Sequence, residues 1–133
     1  MQTDQSDKML APFILDVEQC ACHIAADLYH AAPVGILSIP ELHGVHLLPD
    51  PNLPRGAHWN GEEILLSMHI PASDLYEAIP HELVHALACS PRWEHLNLTL
   101  RSRDYKRDDF LEAVATRVGE RFAERYRRHS AGK

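Results

Sequence analysis

Apolar residues recur at three- and four-residue steps from Ala11 to Ala31, at Ile14, Val17, Ala21, Ile24 and Leu28, the spacing of an amphipathic helix packed on one face. Pro33 and Gly35 end that pattern. Two short apolar runs follow, Val34 to Ile39 and Val45 to Leu48, separated by Pro40 and Gly44, and they predict two strands joined by a tight turn. Three prolines and a glycine between Pro49 and Asn60 predict a loop. From Glu62 to Ile70 the period changes to two, with Ile64, Leu66, Met68 and Ile70 on one face. This predicts a half-exposed strand at a sheet edge.

A helical pattern resumes from Leu75 to Cys89, with Ser73 and Asp74 as N-cap candidates and Pro80 either kinking the helix or starting a second one. Ser90 to Lys106 is polar and basic and predicts mostly loop. A last helix is expected from about Asp108 to Arg128, opened by acidic and closed by basic residues as its dipole favours. The pattern predicts an α+β protein: one domain over residues 9–128, built from an N-terminal helix, a small three-stranded sheet with an exposed edge strand, and two further helices. Residues 1–8 and 129–133 are expected to be disordered.

The chain has 133 residues, 45% hydrophobic and 24% charged, enough for one packed core and too few for two domains. No apolar run approaches the roughly 20 residues of a membrane helix, and the polar start lacks the character of a signal peptide. Three cysteines, an odd number, predict buried thiols in a reducing cytoplasm. The formal charge of −6 is unevenly spread: residues 1–91 carry 2 basic and 12 acidic side chains, and the remainder 11 and 7. Arg101, Arg103, Lys106, Arg107, Arg117, Arg121, Arg125, Arg127 and Arg128 suggest a nucleic-acid surface, but Asp104, Asp108, Asp109, Glu120 and Glu124 are interleaved among them. Ion pairs along a solvated helix face account for this pattern better than a nucleic-acid patch does.

Chemistry enters with Ile79-Pro80-His81-Glu82-Leu83-Val84-His85, in a chain unusually rich in histidine, with ten. His81 and His85 stand one helical turn apart, so both imidazoles project from one face and can share one zinc ion, with Glu82 beside them. In this His-Glu-x-x-His arrangement zinc lowers the pKa of a water and the glutamate takes its proton during attack on a carbonyl. A catalytic zinc needs a third protein ligand. Glu112, 27 residues beyond His85, is one candidate: Ala115, Thr116, Gly119 and Ala123 beside it form a stripe of small side chains that would let two helices approach closely. His95 is the rival. A metzincin pattern is excluded, because Ala88 and Pro91 stand where it requires glycine and a third histidine.

These residues resemble the zincin metallopeptidases of gluzincin type, in a minimal single-domain form similar to minigluzincins and ImmA/IrrE-like proteases. The resemblance covers residues 60–125. It implies a zinc metallopeptidase hydrolysing peptide bonds, with His81, His85 and Glu112 as ligands and Glu82 as general base. It also implies a peptide or protein substrate bound as an added strand along the sheet edge, for which 62–70 is the expected segment. Leu111 and Thr116 depart from the gluzincin glutamate motif, so Asp108 or Asp109 is the substitute expected to support a zinc-bound histidine. Tyr105 is the nearest loop tyrosine to serve as oxyanion donor, with a structural role as its other reading. Two alternatives stay open: a non-catalytic, zinc-stabilised protein-binding module, and a SprT-like DNA-associated protease with His95 as third ligand.

Overall fold

A computed structural model describes residues 2–29, 36–88, 93–103 and 105–131, with the backbone alone at 2–10, 72, 95 and 129–131. The protein is α+β. Among the described residues, five α-helices, α1 (Gln2–Tyr29), α2 (Ile39–Leu42), α3 (Ala72–Ala86), α4 (Glu94–Ser102) and α5 (Arg107–Ala131), accompany three strands, β1 (Leu47–Asp50), β2 (Ala57–Trp59) and β3 (Ile64–Ser67). No described helix is long and apolar enough to cross a membrane.

α1 contains the periodic positions Ile14 to Leu28 and extends upstream of them to Gln2, through most of the segment expected to be disordered, while residues 30 and 31 lie outside the described residues. Val17, Cys20, Ala21, Ile24 and Leu28 are buried, whereas Ile14 is 51% exposed and its neighbour Phe13 takes the core-facing place in that turn. The first predicted strand does not form over its described part. Ile36–Ser38 is a 3-10 turn leading into α2, where Pro40 sits in the first helical turn, a position its fixed φ suits. Residues 34 and 35 lie outside the described residues.

The segment expected to be a loop contains a strand, β2. It forms a hairpin with β3 across Asn60-Gly61-Glu62-Glu63. The Asn60 amide donates to the Glu63 carbonyl, and the Asn60 side-chain oxygen accepts from the Glu62 and Glu63 amides. Gly61 has φ of +100°, which a side chain would strain, so this Asn-Gly pair closes the turn.

The sheet order is β1-β3-β2, with β1 parallel and β2 antiparallel to β3. β3, the strand within 62–70, is therefore central and not the edge. Its alternating pattern records which faces are wet and which are dry, and that alternation is the same for a central strand as for an edge strand. Met68 lies beyond its end and is exposed.

α3 packs against the sheet on one side and α5 on the other, and α1 covers α5. It runs unbroken through Pro80, and its N-cap is Pro71, placing Ser73 and Asp74 within the first turn. Ile79, Leu83 and Val84 from α3 meet Phe110, Leu111, Val114, Ala115 and Val118 from α5 in the core, with Ile64 of β3.

Most of the predicted 90–106 loop is α4. Trp93 and Leu96 are buried and Leu100 packs against the core, a one-sided apolar pattern too short to stand out among polar and basic neighbours. The Trp93 indole N–H donates to Asp27 of α1, fastening α4 to the first helix. Arg117 of α5 is drawn to Glu18 on α1, with Glu124 also within 3.5 Å, so a basic side chain of the C-terminal helix serves an interhelical ion pair. The Glu18 carboxylate bound to that guanidinium holds its pKa above the ordinary arginine value.

Candidate metal centre

α3 carries His81 and His85 four residues apart, with rings tilted and 5.3 Å between centroids. Leu83 and Val84, on the opposite side of the same turn, are fully buried and fix the helix's rotation. The imidazoles therefore emerge at the margin of the core, with side chains 21% and 24% exposed.

α5 brings Glu112 to them. Its Oε1 lies 3.0 Å from His81 Nε2 and its Oε2 2.8 Å from His85 Nε2, so one carboxylate spans both imidazoles. This approach requires closely packed helices, and the small side chains beside Glu112 allow it. At Gly119, two turns further along α5, an added Cβ would lie 2.6 Å from the Glu77 carbonyl oxygen of α3.

One ligand atom from each of His81, His85 and Glu112 falls within 4.8 Å of the others. Ligands about 2.0–2.2 Å from a tetrahedral zinc stand roughly 3.3–3.6 Å apart, so this nitrogen and oxygen set has the right chemistry for that ion and would have to draw together around it. A zinc held by two imidazoles and one carboxylate alone would keep a fourth position open.

Glu82 stands beside this group, its Oε2 3.7 Å from His81 Nε2 and its side chain 15% exposed. Its Oε1 accepts a 2.7 Å hydrogen bond from the Trp59 amide of β2. In the β2–β3 hairpin, Gly56 and Asn60 turn their backbone groups to β3, which directs those of Ala57 and Trp59 outward by alternation. The free edge nearest α3 thus belongs to β2. Periodicity gives no sign of Trp59; the Asn-Gly turn after it is the signal in the sequence that marks its strand.

The remaining candidates lie elsewhere or find no ligand to support. Asp108 and Asp109 are exposed and, among the described residues, bond to neither histidine. Tyr105 donates to Asp16 of α1 at 2.7 Å, and its ring packs on Phe13 and Phe110. Burial, then the Asp16 carboxylate, raises its pKa above the ordinary value of 10.0. It has a structural role on the α1–α5 side. His95 lies in α4, and its side chain falls outside the described residues. Compared with known proteins, the chain matches no family profile, no curated protein and no solved structure.

Proposed function

We propose that the protein is a zinc-dependent metallopeptidase of gluzincin type, with His81, His85 and Glu112 holding the metal and Glu82 as general base. The observation that carries this reading is the single Glu112 carboxylate lying within 3.0 Å of the imidazole nitrogens of both histidines of a His-Glu-x-x-His helix. Bound there, zinc would supply a polarised substrate carbonyl and a water acidic enough to ionise near neutral pH.

The chain's own groups have separable tasks. The Trp59 amide holds Oε1 of Glu82 and fixes the carboxylate's rotation, leaving Oε2 on the side of His81 to take a proton. Ala57 and the Trp59 carbonyl on the free edge of β2 can pair with an extended peptide, giving β-augmentation beside Glu82. β2 takes over the role expected of 62–70. The cytoplasm is the compartment this reading favours: Cys20 is a free thiol whose burial raises its pKa, and Cys22 is also unpaired.

The test is zinc content per chain for untagged wild type, Glu112→Ala and His95→Ala, followed by turnover of a mixed peptide library. One zinc is expected in the wild type and in His95→Ala, with loss in Glu112→Ala. Glu82→Gln should keep fold and zinc but lose at least about a hundredfold in turnover. A chain that takes up no zinc after supplementation, or a Glu82→Gln variant as active as wild type, overturns the proposal.

A further inference from the structure

The C-terminal helix carries more positive charge than its ion pairs use. Arg117 is the guanidinium of α5 that the Glu18 and Glu124 carboxylates engage. Arg121, Arg125 and Arg128 make no ion pair among the described residues, although Glu120 and Glu124 stand in the same turns. The interleaving of charges along the chain therefore does not cancel them on this stretch. The three arginines recur at steps of four and three residues and share one face of α5.

That face borders a pocket of about 420 Å³, lined by Arg121, Glu124, Arg125 and Arg128 of α5 and by Tyr29 at the end of α1. The volume lies within the range of about 300–1,000 Å³ usual for small-molecule sites. Tyr29 is where the cations gather. Its ring meets Phe122 with centroids 4.5 Å apart, and the Arg125 guanidinium carbon lies 4.2 Å from its own centroid. Burial raises the pKa of its hydroxyl, while Arg125, Arg121 and Arg128 each oppose that rise, so all three charges are felt at one point of the pocket.

A second sign comes from Arg121. Its Nε is buried, and no described group accepts its hydrogen. Buried donors are almost always paired, because one left unmade forfeits its hydration without return. An unanswered N–H on a residue that lines a positively charged pocket calls for an acceptor from outside the chain.

Charge and shape select that acceptor. Three positive charges against the one negative charge of Glu124 leave two to be answered. A phosphomonoester carries about −1.5 to −2 at neutral pH, and its oxygens take the paired N–H groups of guanidinium forks. A carboxylate or a single phosphodiester brings one charge only. A nucleic-acid strand would also seek an aromatic face for its bases, and Arg125 already covers that of Tyr29.

We propose that this pocket between the C-terminal parts of α1 and α5 binds the phosphoryl group of a small phosphomonoester, with Arg121, Arg125 and Arg128 holding it. Arg121 lies about 13 Å along the helix axis from Glu112, so the site is distinct from the proposed metal centre and does not depend on the metallopeptidase reading.

The test is calorimetric titration with inorganic phosphate and with phenyl phosphate near pH 8, above the second phosphoryl pKa of about 6, at constant ionic strength. The full chain is used after chelator treatment, so that no zinc ion can take the phosphate. One saturable site per chain is expected, and acetate should bind at least about tenfold more weakly, the difference of one charge-assisted hydrogen bond. Arg121→Lys keeps the charge but removes the Nε donor and should lose at least about tenfold in phosphate affinity. Arg128→Gln, a change at an exposed position that leaves the core intact, should lose as much, whereas Arg127→Gln, off the pocket, should bind as wild type does. No saturable binding of either phosphate, or binding that Arg121→Lys and Arg128→Gln leave unchanged, overturns the site. So does acetate binding equal to that of phosphate. A single-stranded oligodeoxynucleotide without terminal phosphates that displaces phosphate and binds more tightly also overturns it, and assigns the face to nucleic acid.

Discussion

Substituting Gly119 by alanine tests whether the α3–α5 approach creates the proposed metal centre. Alanine is the better helix former by about 1 kcal/mol, so on propensity alone the variant should be more stable. The structure predicts the opposite sign. The new Cβ would sit 2.6 Å from the Glu77 carbonyl oxygen, where contacts under 3.0 Å are not tolerated, so the helices must part by about 0.4 Å or bend. The obstacle is backbone, which cannot swing away as a side chain would. Overpacking of this kind costs about 1–3 kcal/mol, and the upper half of that range applies against a carbonyl. Subtracting the propensity gain leaves a net loss of about 1–2 kcal/mol, or a fall in Tm of roughly 3–8 °C for a chain of this size.

Separating the helices also draws Glu112 from His81 and His85. A site tolerates only small departures in ligand distance, so displacing Glu112 should weaken zinc binding at the proposed centre. Urea and thermal denaturation of the metal-free protein give the stability arm, and competition against a zinc-binding dye gives the affinity arm. A Gly119→Ala variant that is more stable than wild type by about 1 kcal/mol and binds zinc as well would refute the claim that this glycine sets the helix spacing.

Phe110 of α5 is fully buried with its ring against Phe13 of α1, and Phe110→Ala should cost about 3–5 kcal/mol, measured by urea denaturation; a loss under 1 kcal/mol would contradict its core position. Tyr105→Phe removes the hydrogen bond to Asp16 and should cost about 1–2 kcal/mol at pH 7. Because the folded-state pKa of this phenol is raised, that contribution is complete below about pH 10 and is lost as pH rises through the folded value, so the gap between wild type and variant should narrow as pH rises above 10. A gap that is unchanged at pH 11 would count against the Tyr105–Asp16 bond. Of Cys20 and Cys22, iodoacetamide should modify the exposed Cys22 first, since burial both shields Cys20 and keeps it protonated; peptide mass mapping showing equal rates in the native protein would contradict this.

Local rules made α3 and α5 legible in the chain, because both have a helical apolar period and Leu83, Val84, Val114 and Val118 had one consistent side to bury. They also made the His81-Glu82-His85 cluster legible, since a one-turn spacing places ligands on one face whatever surrounds the helix. Other features were written locally and overlooked: Asn60-Gly61 announced the β2–β3 hairpin, and Trp93, Leu96 and Leu100 marked the core side of α4. The strand order was not written locally. Periodicity separates the two faces of a strand but carries no record of its neighbours, so only the fold could put β3 in the centre and leave the edge beside Glu82 to β2. Nor could local pattern show the meeting of Glu112 with two histidines 27 and 31 residues away, or the Trp59 amide on Glu82. Those are contacts between elements, set by how closely α3, α5 and the sheet pack, and packing distance is a property of the assembled chain.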